Sequence, residues 1–214
     1  ILEEITNPQS LKKSLYYEFY LLQIQAKDKS YKDITSDTLI YTIRDYYHNK
    51  NDIEKAALAT FYCGRVRQEQ ENYEKALKIY LGAEEYFKQS KNLNLKGLFQ
   101  ASIGEIYYQQ LLKDEAILRL KLAADYFHQA ENHRNEIGVT RIIGNSFLMQ
   151  ENIDSAFVYY FKALALADKH DLKRERLSVR EGLGVAYREI GKWEQSETFF
   201  REARAFSSDS LHKA

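Results

Sequence analysis

LSVREGLGVAYREIGKWEQSETFFREAR, residues 177–204, is the stretch from which the rest of the chain can be read. It holds Leu183-Gly184, Tyr187, Gly191, Trp193, Ser196, Phe200 and Ala203. Forty residues earlier stand Ile143-Gly144, Phe147, Ile153, Ala156, Tyr160 and Ala163. Another step back gives Ile103-Gly104, Tyr107, Ala116, Leu120 and Ala123, and a third gives Cys63-Gly64, Tyr73, Ala76, Tyr80 and Ala83. One unit is written four times in phase, and a fainter fifth copy precedes them.

A glycine in mid-helix costs about 1 kcal/mol relative to alanine. Four in phase therefore need a reason. The steric one is that Gly64, Gly104, Gly144 and Gly184 let the first helix of each unit (helix A) approach the second (helix B) closely. Ala76, Ala116 and Ala156 answer on helix B. Ala83, Ala123, Ala163 and Ala203 face the next unit, and Tyr80, Leu120, Tyr160 and Phe200 fill the space between. The spacing predicts helices over 52–69, 73–89, 93–110, 113–130, 134–150, 153–169, 173–190 and 193–206. A weaker pair at 10–27 and 35–48 keeps the register, with larger residues in the small slots and Thr35 or Ser36 as N-cap candidates. Asn51-Asp52, Lys91-Asn92, Glu131-Asn132 and His170-Asp171 mark the turns, where Asn and Asp bond nearby backbone and tolerate left-handed geometry.

These residues resemble the tetratricopeptide repeat (TPR) family, whose pattern pairs L-G-x2-Y with later G-x-Y, A, F and A positions. Leu183-Gly184, Tyr187, Gly191-x-Trp193, Phe200 and Ala203 carry the resemblance, strongly over 57–206 and weakly over 10–56. Departures are the early tryptophan slot (Thr60, Gln100, Thr140, Arg180), Arg67 in a tyrosine slot, and the missing closing proline. The period is 40 rather than about 34. That length falls in the HEAT and armadillo range, but the 19-residue interval from Gly64 to Ala83 and from Gly184 to Ala203 is TPR spacing. Tyr86-Phe87 and Tyr126-Phe127 are expected to pack the added residues. Repeats of this length resemble those of bacterial regulatory TPR proteins.

The expected fold is all-α, a right-handed superhelical solenoid of about five antiparallel helix hairpins. It forms a single TPR array over 1–214, with a degenerate repeat at 10–50 and clear repeats at 52–90, 93–130, 134–170 and 173–206. Ile1 to Ile5 reads like the tail of an earlier helix and Ser207 to Ser210 lacks a helix stop, so a piece of a longer protein is expected.

The resemblance implies a non-enzymatic scaffold that binds a protein or peptide segment in a concave groove lined by helix A. Carried onto this chain, the groove positions are Phe61, Arg65, Gln68, Ala101, Glu105, Tyr108, Arg141, Asn145, Leu148, Glu181, Val185 and Arg188. Arg65, Gln68, Tyr108, Arg141, Asn145 and Arg188 are the binding candidates. Arg141 and Asn145 stand one turn apart and look like the cation–amide arrangement with which the family holds a carboxylate. A solvated face with incidental arginines is the competing reading. The alternative function is the sensory or regulatory region of a larger bacterial signalling or transcription-regulator protein. Self-association through the terminal helices, with Phe199, Phe200 and Phe206, is a further expectation.

Composition narrows the classes. Lys+Arg and Asp+Glu both number 31, so a phosphate-backbone interface, which needs a basic excess, is disfavoured. One proline in 214 residues fits long helices and short turns. No apolar run approaches the ~20 residues of a membrane span. The compartment stays open: a cytoplasmic segment, or the extracytoplasmic part of a membrane-anchored protein. No catalytic residue, cofactor or metal is expected. Cys63 sits in a packing slot and reads as a buried structural thiol. His48, His128, His133, His170 and His212 lack metal-ligand spacing, and most of them fall near turns. Gly182-Leu183-Gly184 lacks the third glycine and preceding strand of a dinucleotide motif.

Overall fold

The computed structural model describes residues 7–211, with side chains through 204. Among the described residues there is no strand. Within the same residues a short 3-10 turn at Pro8–Ser10 precedes eleven α-helices: α1 Lys13–Lys29, α2 Leu39–Asn49, α3 Ile53–Glu69, α4 Tyr73–Gly82, α5 Glu84–Gln89, α6 Leu93–Gln109, α7 Lys113–Gln129, α8 His133–Met149, α9 Ile153–Lys169, α10 Lys173–Glu189 and α11 Trp193–Leu211. The expectations for Ile1 to Ile5, and for the side chains of Phe206 and His212, fall outside the described residues. The chain divides into two units, residues 1–95 and 96–214.

Length is the organising quantity. Seven of the helices (α1, α3, α6, α7, α8, α9 and α10) are 17 residues long. Three-residue turns join most of them, and the middle residue of each takes a positive φ: Asn51, Glu71, Leu111, Glu131, Glu151, Asp171 and Gly191, always a multiple of 20 apart. The backbone N–H after it reaches back to the last helical turn, as in Asp52 to Tyr47 O at 3.1 Å and Leu112 to Tyr107 O at 2.9 Å. This is the Schellman closure, which satisfies carbonyls the helix end would otherwise orphan. Asp52, Asn72, Asn132 and Asn152 then cap the next helix by accepting the N–H three residues on. The 40-residue repeat is thus two 20-residue modules.

Six of these seven left-handed positions are not glycine, and such residues carry a steric cost of about 1–2 kcal/mol. Leu111 has φ 62° and is 63% exposed, so its side chain contributes little packing in return. Leu111→Gly is expected to raise stability by roughly 0.5–1 kcal/mol, part of the relief being offset by glycine's extra unfolded-state entropy. A denaturation midpoint at or below wild type would refute this.

Two departures from the expected helices lie in the first unit. The α1–α2 connection spans residues 30–38, and α2 begins at Leu39 after Thr38, with no side-chain cap. Thr35 and Ser36 therefore do not cap a helix; Asp33 Oδ1 instead accepts the Thr35 N–H at 2.7 Å. Asp37 holds this loop, taking hydrogen bonds from Lys27 at 2.8 Å and Tyr20 at 2.9 Å. The helix expected over 73–89 breaks at Ala83, just after Gly82, whose surroundings hold nothing within 4 Å of a would-be Cβ. No packing repays that glycine's cost. The turn that follows also differs: Lys91 has no positive φ, and the Glu54 carboxylate holds Ser90 Oγ and the Lys91 N–H, both at 2.6 Å.

The in-phase glycines do what their spacing implies. A Cβ on Gly64 would lie 2.2 Å from the Tyr80 ring, on Gly104 2.7 Å from Leu120, on Gly144 3.0 Å from Tyr160, and on Gly184 2.9 Å from Phe200. Each large side chain stands sixteen residues after its glycine (80 − 64, 120 − 104, 160 − 144, 200 − 184) and rests on it. In the second unit Tyr160 also covers Gly182 at 2.7 Å. It packs with Ala156, Ala163 and Ala167 of α9 against Val179, Leu183 and Ala186 of α10, so one ring joins two repeats. Phe87 and Phe127 are buried, as expected of the added residues, and Phe127 lies over Gly97.

Candidate groove residues on the A helices

Helix packing decides which A-helix positions can meet a ligand. Phe61 and Ala101 are core residues, 2% and 7% exposed, and present no groove surface. Arg65 is half-buried, as are Gln68, Tyr108, Arg141 and Asn145, whereas Arg188 is exposed.

In the first unit Arg65 is engaged. Its guanidinium donates to Asp28 Oδ1 at 2.9 Å and to Glu69 Oε1 at 2.7 Å. The Asp28 contact ties α3 to α1 across 37 residues. The neighbouring Gln68 Oε1 accepts the Tyr80 hydroxyl at 3.3 Å. Arg65 is therefore a strut between α3 and α1, and Gln68 one between α3 and α4.

In the second unit the arrangement differs. Among the described residues Arg188 meets its neighbour Glu189, at 3.6 Å. Among the described residues Arg141 has no carboxylate partner, which sets it apart from Arg65 and Arg188. Asn145, one turn on, accepts the buried Tyr160 hydroxyl on Oδ1 at 2.7 Å. That bond fixes the carboxamide so that its NH2 side is left to donate. Burial pushes the Tyr160 phenol well above its ordinary range, with Arg141 opposing and Tyr108 adding to the rise. Asn145 bonds this buried hydroxyl, and Arg141 and Tyr108 act on it electrostatically. A guanidinium and an amide donor side by side can hold a carboxylate by charge-assisted hydrogen bonds.

The remaining chemistry is structural. Cys63 is fully buried and burial pushes its thiol up to about 12, which keeps it protonated and unreactive. Among the described residues no group of three or more His, Cys, Asp or Glu side chains is placed to hold a metal ion. Sequence reasoning missed what the histidines do. His133 and His170 stack at 3.5 Å between ring centroids, and Glu136, 4% exposed, takes His128 Nδ1 at 3.1 Å. His48 bonds Tyr86 and Thr60, partners 38 and 12 residues away that no local spacing announces.

These features define a class: an all-helical, TPR-like repeat protein. No protein-family model matches the chain. A stretch of 97 residues, 44% of the chain, is 28% identical to outer dynein arm-docking complex subunit 4 of Danio rerio and spans 20% of that protein. Among solved structures, a STAND signal-transduction ATPase with a tetratricopeptide repeat sensor from Pyrococcus horikoshii superposes with a TM-score of 0.77 at 16% identity, over 96% of this chain and 30% of that one. A Rap conjugation gene regulator of plasmid pLS20, in complex with the Phr* peptide, gives 0.62 at 21% identity over 73% and 44% of the two chains. The chain therefore spans less than half the length of each of these three proteins. Likeness at these identities shows the fold.

Proposed function

We propose that this chain is a non-enzymatic scaffold that binds a protein or peptide segment on the helix-A faces of its repeats, and that Arg141 and Asn145 receive a carboxylate of that segment. The observation that carries the reading is the half-buried Arg141 guanidinium, without a carboxylate partner among the described residues, beside an amide oriented by Tyr160. A cation left in that state is poised for an anionic ligand rather than for holding helices together. The Rap relative solved with a peptide supports a peptide as the ligand class. The TPR sensor of the STAND relative favours a second reading on the same surface, a sensory region within a larger regulator.

The test compares partner capture from source-cell extract by the wild-type chain and by Arg141→Glu, followed by titration of tiled peptides from whatever is captured. Loss of a charge-assisted contact worth roughly 1.5–3 kcal/mol predicts at least tenfold weaker binding of the active peptide. Arg65→Glu is a poor test, because it would leave Asp28 and Glu69 facing a third carboxylate. Equal capture and equal peptide affinity, with both proteins equally helical, would remove Arg141 from the site.

A further inference from the structure

The α8–α9 hairpin is closed at one end by its turn at 150–152, and at the other end side chains hold it. His133 is the first residue of α8 and His170 is the C-cap of α9, so both stand at that open end. Their rings stack with 3.5 Å between centroids and 20° between planes. In the two preceding repeats the equivalent places hold Leu93 with Ala130 and Ile53 with Ser90. A pair that can gain protons near neutral pH stands where those pairs cannot.

Charge is unevenly shared around the stack. The Glu136 carboxylate is the anion beside it: Oε2 lies 3.4 Å from His133 Nδ1, and Oε1 accepts from His128 Nδ1 of α7 at 3.1 Å. The other acids at this end are engaged by arginines. Asp168 and Asp171, which flank His170, are held by Arg176 of α10 at 2.5 and 3.3 Å, and Glu175 by Arg134 of α8 at 2.8 Å. Lys169 precedes His170, and Lys173 and Arg174, exposed at the start of α10, add only positive charge. His170 is half-buried, and its Nε2 is enclosed with no hydrogen-bond partner among the described residues.

Glu136 can balance one imidazolium. A second would lay cation on cation with no further anion at hand, and like charges in contact disfavour the ionised form. Desolvation, then the His133 ring and the Lys169 ammonium, hold the His170 imidazole below its usual value near 6.5, with Glu136 opposing. The unfolded chain therefore takes up this proton before the folded one does. The stability involved is complete above about pH 6.5 and is lost as pH falls below it.

We propose that the His133–His170 stack is an acid-sensitive latch, which holds the open end of the α8–α9 hairpin shut at neutral pH and lets it part as both rings take up protons. It shares no residue with the Arg141 surface and does not depend on the ligand proposed there.

The first test is thermal unfolding of the whole chain at about pH 7.5 and about pH 5.5, on either side of the ordinary histidine value. Wild type is compared with His133→Leu/His170→Ala, which installs the Leu93 and Ala130 pair of the preceding repeat. Acid is expected to lower the wild-type midpoint by about 2–4 °C more than that of the variant. The remaining histidines are common to both proteins and cancel. A backbone-amide NMR titration of wild type alone supplies a readout that needs no variant. The Arg134 and Asp171 amides, at the open end, are expected to shift with one shared midpoint below 6.5, while Gln150 and Asn152, at the turn, stay in place. Equal acid loss in the two proteins, or open-end amides that move no more than those of the turn, would each overturn the proposal.

Discussion

Gly64→Ala is expected to destabilise the chain by roughly 3 kcal/mol, the upper part of the range for overpacking a well-filled core. The sign matters as much as the size. In an exposed helix the same substitution stabilises by about 1 kcal/mol. At Gly64 the new methyl would lie 2.2, 2.5 and 2.8 Å from three carbons of the Tyr80 ring, and that ring is fully buried. It cannot retreat without moving α4 away from α3. Gly82 and Gly138, with nothing within 4 Å, are the internal controls, and alanine there should raise the denaturation midpoint. Adding Tyr80→Leu to Gly64→Ala should recover part of the loss, since Leu120 already fills the equivalent place over Gly104. A neutral or stabilising Gly64→Ala would show that the in-phase glycines serve no close approach.

The second large effect is at Tyr160. Truncation to alanine removes a ring that is 1% exposed and lies over both Gly144 and Gly182. Large aromatic-to-alanine changes in cores cost roughly 3–5 kcal/mol, and this one empties the packing of α9 against both α8 and α10. Tyr160→Phe keeps the ring and removes one hydrogen bond, a loss of about 1 kcal/mol. Its sharper consequence is at Asn145, which loses the partner that orients its amide. Tyr160→Phe should therefore melt close to wild type yet bind the carboxylate-bearing peptide several-fold more weakly. Thermal melts and peptide titrations on the two variants check both halves. If Tyr160→Phe unfolds as readily as Tyr160→Ala, the hydroxyl rather than the ring holds the repeats together.

The fold was legible because the residues that set it recur at a fixed interval. Glycine, alanine and aromatic positions in phase predict which side chain rests on which, and Gly184 under Phe200 is such a pair. The break at Ala83 was harder to see. Gly82 stands in the sequence, but glycines inside other helices of this chain carry a packing role, and only the empty surroundings of this one show that it has none. Thr35 and Ser36 do not act as caps because α2 starts later, at Leu39, and the chain before it is turned by Asp33, which accepts the Thr35 N–H.

The candidate site was less legible for a general reason. A helix-face pattern reports which residues point one way and not what already occupies them. Arg65 and Arg141 both stand half-buried on A helices, yet Asp28, 37 residues before Arg65, engages one of them. The Tyr160 hydroxyl that orients Asn145, and the bonds of His48 to Tyr86 and Thr60, likewise join residues 12 to 38 apart. Such pairs follow from the stacking of helices and leave no trace in local spacing.

The left-handed turn residues, a multiple of 20 apart, make this chain a ruler of its own packing. Splicing in or removing 40 residues at such a turn returns each glycine to a large partner and each A helix to its place. A 20-residue exchange would put A helices where B helices belong. A borrowed repeat of about 34 residues would shift the downstream register by about six positions, more than one and a half helical turns. Lengthening or shortening by duplication is open to this design, whereas trading units with arrays of standard pitch is closed to it unless the turns are rebuilt as well.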